Sequence, residues 1–222
     1  MSCPVCGCGE VAHFQTVLGR VYYRCHRCRG TYLSPDQLPT RDEERARYDE
    51  HQNDPEDPGY RDFLRRLARP LLRKLPEGSV GLEFGCGPGP ALARILTEAG
   101  HRVSCYDPFY APDEATLQRQ YDFITATEVL EHLHTPGKTL RMLDQLLRPG
   151  GYVGVMTEFL TDDSRFAGWY YRQDLTHVVF YCETTLRKIA DDLGWEIEIP
   201  RKNVAIYRKD PHPQTWPHGA PS

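Results

Sequence analysis

No stretch of this chain approaches the roughly 20 consecutive apolar residues that cross a bilayer, so a membrane span is not expected. The opening residues, "MSCPVCGCGE", lack the basic and apolar regions of a secretory leader, which points to a cytoplasmic protein. Its eight cysteines are then not expected to pair as disulfides. An excess of positive charge is missing too. There are 27 Lys and Arg against 31 Asp and Glu, which argues against a protein that coats nucleic acid. What remains is an ordinary globular composition, 40% hydrophobic and 26% charged, enough for one domain with a small appendage.

Charge is uneven along the chain. Residues 1–33 carry Arg20, Arg24, Arg27 and Arg29 against Glu10, residues 41–57 are acidic, and residues 61–74 are basic again. Such runs read as solvated helix faces with local pairing. The sharper reading is a basic surface for a phosphate-bearing partner.

The cysteines supply the first positive signal. "CPVC" (Cys3, Cys6) and "CHRC" (Cys25, Cys28) are C-x2-C pairs with 18 residues between them, the spacing of a four-thiolate zinc site. Each pair makes a knuckle that offers two thiolates to one tetrahedral ion, and four thiolates leave no open position, so such a zinc is structural. Cys8 and His26 are spare candidates. The intervening residues read as a hairpin turning near Leu18–Gly19–Arg20. About thirty residues cannot bury a sufficient core, and a metal staple makes up the difference. Residues 1–33 are therefore expected to form a zinc ribbon. Residues 34–60 read as a connector with one short helix over Asp42–Glu50, and residues 61–74 as an amphipathic helix that Pro70 can kink.

Residues 79–109 read as a βαβ unit with a glycine turn after its first strand. "VGLEF" is a buried strand, "PALARILTEAG" a helix, and "RVSCYD" a second strand ending in Asp107, where an acid can hold two ribose hydroxyls. The turn, Gly85-x-Gly87-x-Gly89, lets backbone amides approach a ligand. It is not G-x-G-x-x-G, because the third glycine comes one residue early and Pro90 follows.

In combination, "LEFGCGPGPAL", "YDFITATEVLEHL" and "LLRPGGYVGVMT" resemble the signatures of class I S-adenosylmethionine-dependent methyltransferases, over about residues 78–208. The cysteine-bearing start is similar to the zinc ribbons that precede some bacterial members. The resemblance implies an α/β fold with a Rossmann-like sheet over residues 61–209. It implies that Glu83, Gly85, Cys86, Gly87 and Gly89 line the methionine part of the cofactor, that Asp107 binds its ribose, that Pro108 and Phe109 border its adenine, and that Thr127 and Glu128 lie beside the sulfonium.

One departure is visible. Only 14 residues separate Asp107 from Asp122, where the family spends a helix, a strand and another helix. That is room for a single minimal crossover. Strand three is expected to be short or missing, with the adenine side left open or closed by helix 61–74 or by the zinc module.

"ATEVLEHLH" (126–134) follows the fourth strand of that fold, at the edge where open α/β sheets bind ligands. If this stretch is helical, Glu128, Glu131 and His132 share a face and His134 does not. Three readings stand: a pocket wall, a general base that takes the acceptor's proton, or a divalent cation held by Glu128, Glu131 and His132, perhaps with His177. E-x-x-E-H resembles metal-binding motifs in some ubiquinone-pathway and small-RNA 3′-end methyltransferases of the same fold. Later, Trp169, Tyr170, Tyr171, Asp174, His177, Phe180 and Tyr181 form a cluster that suits a substrate lid, with Tyr171 and His177 reaching the site. The catalytic candidates are thus His132, His177, Glu131 and Tyr171. "CETTLRKIADDLG" reads as a helix, "WEIEI" and "NVAIYRK" as a closing hairpin, and residues 210–222 as a disordered tail. The function expected is methyl transfer to an oxygen of a small-molecule or glycan-like acceptor. RNA docked on the basic ribbon and helix 61–74 is the alternative, and a non-catalytic zinc-ribbon scaffold the other.

Overall fold

The first thirty-odd residues fold into a meander of three short antiparallel strands, β1 (Val11–Val17), β2 (Arg20–Cys25) and β3 (Thr31–Leu33). The structure is a computed structural model that describes residues 1–50 and 54–212. Leu18 and Gly19 turn β1 into β2 with φ of 51° and 80°, at the position the sequence suggests. Helices α1 (Arg41–Tyr48) and α2 (Pro58–Leu72) follow. Each comes close to an expected helix, Asp42–Glu50 and 61–74 respectively. A full capping box, Thr40 with Glu43, starts α1. Asp57 caps α2 and Pro58 occupies its first turn, which is why α2 begins earlier than its apolar stripe.

The larger sheet holds β4 (Val80–Phe84), β5 (Arg102–Tyr106), β6 (Tyr121–Thr127), β7 (Leu147–Met156), β9 (Trp195–Arg201) and β10 (Val204–Lys209). Their order is β5-β4-β6-β7-β10-β9, parallel up to β7 and antiparallel beyond it. This is the expected Rossmann-like α/β sheet, and strand three is missing from it: among the described residues no strand pairs with the outer edge of β5. The chain makes one bridge, Asp107 to Ala111, and one 3₁₀ turn, Glu114–Gln118, before entering β6. Helix α3 (Ala91–Glu98) and α2 cover one face of the sheet, and α2 seats Leu67 against Gly154 of β7. Helices α4 (Pro136–Leu146) and α6 (Glu183–Leu193) contribute to the other core cluster. No described helix is long and apolar enough to cross a membrane. The end of the expected tail, residues 213–222, lies outside the described residues.

The N-terminal module is built into the larger body. A two-residue strand, β8 (Val179–Phe180), pairs with β3 and completes a second sheet in the order β1-β2-β3-β8. Leu33 N donates to Val178 O, and Val178 N donates to Glu131 O, both at 2.8 Å. On its other side the first knuckle rests on α4, where Gly137 N donates to Pro4 O at 3.0 Å. A Cβ at Gly137 would sit 2.3 Å from Val5 O. Backbone cannot yield as a side chain does, so Gly137→Ala is expected to destabilise the protein by ~1–3 kcal/mol, read as a lower urea midpoint with unchanged m.

Of the basic residues of this module one is buried, and the others are partly or well exposed. Arg24 is buried, donating to Thr31 Oγ1 and pairing with Asp163. Arg29 approaches Asp163 at 3.9 Å, Arg27 pairs with Asp192 at 2.7 Å, and Arg20 donates to Leu175 O at 2.9 Å. Arg20, Arg24 and Arg27 thus tie the ribbon to the body, while the side chains of Arg27 and Arg29 stay about half exposed.

Candidate functional site

Two clusters carry chemistry. In the first, Cys3, Cys6, Cys25 and Cys28 bring their sulfurs within 4.8 Å of one another, with Cys3 to Cys28 and Cys6 to Cys25 at 3.6 Å. Four thiolates about 2.3 Å from one tetrahedral zinc would lie about 3.8 Å apart, so this donor set fits zinc. The spare candidates, Cys8 and His26, are outside the group.

The second cluster lines a cavity of about 930 Å³ at the carboxyl ends of the parallel strands, close to the upper end of small-molecule sites. Gly85 turns there with a φ of 74°, and its N donates to Tyr106 O at 2.8 Å, so the glycine loop is tied to the end of β5. A Cβ at Gly85 would lie 2.5 Å from Val129, which forbids larger residues. Asp107 braces the same region: its carboxylate accepts from Gly87 N at 3.0 Å, Phe109 N at 2.8 Å and Tyr110 N at 3.1 Å. Glu83, Gly85, Cys86, Gly87, Asp107, Pro108, Phe109, Thr127 and Glu128 all line the cavity. Gly89 does not. It is buried behind the turn, accepting from Ala91 N at the start of α3, and Pro88 takes its place on the wall. Thr127 Oγ1 and Glu128 Oε1 are buried without a hydrogen-bond partner among the described residues, which suits a polar ligand beside them.

Glu83 is buried at the cavity wall and accepts from Ala93 N at 2.7 Å. Burial, aided by the Cys105 thiol group, pushes its carboxyl from 4.5 up to about 8. An unfolded chain releases that proton near the ordinary value, whereas the folded chain keeps it until about pH 8. Between those values the folded state binds more protons, so stability falls as pH rises, by at most about 1.4 kcal/mol per pH unit. Glu83→Gln is expected to remove that component, seen as a smaller difference between urea midpoints measured at about pH 5.5 and about pH 7.5.

At the other end of the cavity the E-x-x-E-H stretch is not one helical face. Glu128 has a φ of 52°, and only Leu130–His132 form a 3₁₀ turn. Tyr171 in the short helix α5 (Tyr170–Gln173) stands between the carboxyls, its Oη 3.0 Å from Glu128 Oε2, 2.5 Å from Glu131 Oε1 and 3.0 Å from Thr157 Oγ1. One phenolic proton serves two carboxylates poorly, an arrangement that favours the protonated form of one of them. Burial and the neighbouring Glu131 push Glu128 up to about 9, and burial raises Glu131 as well.

Of the metal set expected from sequence, Glu128, Glu131 and His132 with His177 as a possible fourth, three members come together. A Glu131 oxygen and one ring nitrogen each of His132 and His177 lie within 4.8 Å of one another, while Glu128 is outside that trio because its left-handed backbone aims it at the cavity. Glu131 itself is fully buried behind Tyr171, with Oε2 unpartnered among the described residues. Both imidazoles are oriented by carbonyls: His177 Nδ1 donates to Tyr171 O at 2.7 Å and His132 Nδ1 to Thr176 O at 3.2 Å. With the proton on Nδ1, each neutral ring keeps its Nε2 lone pair.

The sequence missed one wall. Glu44, Arg47 and Tyr48 of α1 line the cavity. Arg47 reaches Asp174 at 2.9 Å, and Thr176 and Arg47 hold that carboxyl below its ordinary range against the opposing effect of burial. His134, the outlier of its stretch, meets Glu44 at 2.9 Å. The Thr40-x-x-Glu43 pattern marks where this helix starts. A lone aromatic on a polar helix, Tyr48, was the remaining signal.

A family model described as a methyltransferase domain matches residues 50–198. A ubiquinone biosynthesis O-methyltransferase from Citrobacter koseri is 33% identical over 89 residues, 39% of this chain and 36% of that protein, so the chain matches little more than a third of that relative's length. The solved 1,6-didemethyltoxoflavin-N1-methyltransferase of Burkholderia thailandensis, with 1,6-didemethyltoxoflavin and S-adenosylhomocysteine bound, is similar over 91% of this chain and all of its own, at 18% identity and a TM-score of 0.53. An O-methyltransferase family protein from Burkholderia thailandensis covers 78% of this chain and 65% of its own, at 14% identity and a TM-score of 0.52. At such identities the two structures speak for the fold alone.

Proposed function

This chain belongs to the methyltransferase-domain family, and on that footing we propose that it transfers the methyl group of S-adenosylmethionine to a hydroxyl oxygen of a small-molecule or glycan-like acceptor. The observation that carries this reading is a single cavity with the glycine loop and Asp107 at one end and Tyr171, His132 and His177 at the other. The cofactor supplies a methyl group on a positively charged sulfur, open to in-line attack. The backbone of Gly85 and Gly87 can pack against the cofactor's methionine part, Asp107 can accept from its ribose hydroxyls, and Thr127 and Glu128 can meet the end that carries the methyl. Most of the rate enhancement would come from holding donor and acceptor in line. His177 or His132, with an Nε2 lone pair, takes the acceptor's proton, and Glu131 stabilises the imidazolium that results. Cys3, Cys6, Cys25 and Cys28 hold a structural zinc.

A small acceptor is favoured over RNA because the chain has 31 Asp and Glu against 27 Lys and Arg, and because Arg20 and Arg24 of the ribbon are engaged with Leu175 O and Asp163. A second reading of the proton-handling end has its own observation, the convergence of Glu131, His132 and His177 with an orphaned carboxylate oxygen. Those three residues fit a divalent cation such as magnesium, manganese or iron, whose chemistry would be to lower the acceptor's pKa and orient it. The test uses methyl-labelled S-adenosylmethionine and a panel of hydroxylated small molecules and glycans, with and without added divalent ions in the zinc-loaded protein. Label recovered in O-methyl products supports the proposal. Label found only in added RNA would overturn the choice of acceptor, and dependence on a divalent ion would select the second reading.

A further inference from the structure

The missing third strand leaves β5 as the sheet edge, and the residues that follow β5 are Asp107, Pro108, Phe109 and Tyr110. What covers them is α1. The Arg41 guanidinium lies 5.2 Å from the centre of the Phe109 ring and donates from Nη2 to Pro108 O at 3.2 Å. Tyr48 meets the Phe109 ring nearly edge-on at 5.7 Å, and Tyr110 Oη donates to Asp49 Oδ1 at 2.6 Å. So α1 and the residue capping it touch each of the three residues after Asp107.

The helix has little other reason to lie there. None of its residues is fully buried. It is held by polar contacts with partly exposed members, Glu44 with His134 and Arg47 with Asp174, which contribute little individually. Tyr48, whose phenol burial pushes well above its ordinary range, is the exception, and it also meets the His132 ring edge-on at 5.1 Å. One aromatic side chain therefore touches both the residue expected to border adenine and a residue of the proton-handling end.

We infer that α1 is the wall of the adenine subsite that strand three would otherwise supply, with Arg41 and Tyr48 as determinants of affinity for the adenosine moiety and Tyr48 as a positioning residue for His132. The inference rests on the cofactor reading above and assigns the part of the site which that reading leaves open. Arg41 fixes Phe109 from one side and Tyr48 from another, so the face offered to a purine is set before the ligand arrives. A filled subsite in turn holds Tyr48, and through it the His132 ring.

The test is calorimetric titration of the zinc-loaded protein with S-adenosylhomocysteine, and separately with adenosine. Tyr48→Ala and Arg41→Ala are each expected to weaken both ligands, by similar factors of about tenfold, whereas Asp42→Ala on the exposed side of the same helix stays within about twofold. Tyr48→Phe, which keeps the ring, is expected to stay close to wild type. Melting curves within a degree or so of wild type would show that the variants fold, as expected for a helix with no fully buried residue. As a second readout, α1 amides should gain hydrogen-exchange protection when S-adenosylhomocysteine binds. If the wild type binds while both alanine variants retain its affinity, or if α1 gains no protection, the inference is overturned and the cofactor reading stands. If the wild type binds neither ligand, the cofactor reading falls and takes the inference with it.

Discussion

Asp107→Ala is expected to weaken S-adenosylhomocysteine binding by about a hundredfold or more. The side chain acts twice. It is the acid at the end of β5 that can accept from a ribose, and it already accepts from the amides of Gly87, Phe109 and Tyr110. Hydrogen bonds to a charged group are worth about 1.5–3 kcal/mol each. The three amides take three of the carboxylate's about four acceptor positions, and losing one bond to a ligand gives roughly one to two powers of ten in affinity. The same truncation leaves three backbone donors of the ligand-binding loops without an acceptor, so pre-organisation is lost as well. Asp107→Asn keeps the shape and one acceptor oxygen and is expected to fall between wild type and alanine. Calorimetry reads both variants, and an unchanged affinity in Asp107→Ala would remove Asp107 from the site.

Removing zinc is the second large effect. Chelation, or Cys28→Ala, is expected to lower the melting temperature by about 10 °C or more, since structural zinc supplies many kcal/mol to small modules and 1 kcal/mol is about 2–4 °C at this size. The loss is not expected to stay local. Strand β3 pairs with β8, and Val178, just before β8, is held to Leu33 on one side and Glu131 on the other. His177 is the next residue toward the N-terminus. Freeing β3 therefore loosens the backbone that carries two members of the Glu131, His132 and His177 trio. Differential scanning calorimetry with and without chelator, alongside zinc analysis, reads this. A chelated protein with less than one zinc per several chains and an unchanged melting curve would refute the structural role.

The glycine turn and the shortage of residues after Asp107 were legible because both are local: a turn needs particular residues, and 14 residues cannot hold a helix–strand–helix excursion. The Rossmann-like sheet was expected from the resemblance of the three quoted motifs to a known family. Strand β8 was not legible, because two residues have no period and Val179–Phe180 is a strand only through β3. The ribbon arginines were read by charge alone, and their acidic partners, Asp163 and Asp192, lie more than 130 residues away in sequence. Helix α1 was placed, but its role was not: a polar helix after a proline-rich stretch reads as a connector until the missing strand shows what it covers. For Glu128, the left-handed backbone broke the i, i+3, i+4 relation on which the expected face depended. Gly89 matched the motif by spacing, and the turn simply carries it behind the wall.

The central claim is that the cavity above Gly85, Gly87 and Asp107 binds the cofactor of a methyl-transfer reaction. The most direct measurement is an isothermal titration of the zinc-loaded wild-type protein with S-adenosylhomocysteine. Saturable binding of one ligand per chain, with a dissociation constant of roughly micromolar order or tighter, is the predicted result. No heat of binding at millimolar-order ligand from a folded, zinc-replete protein would contradict the account and leave the non-catalytic scaffold in its place.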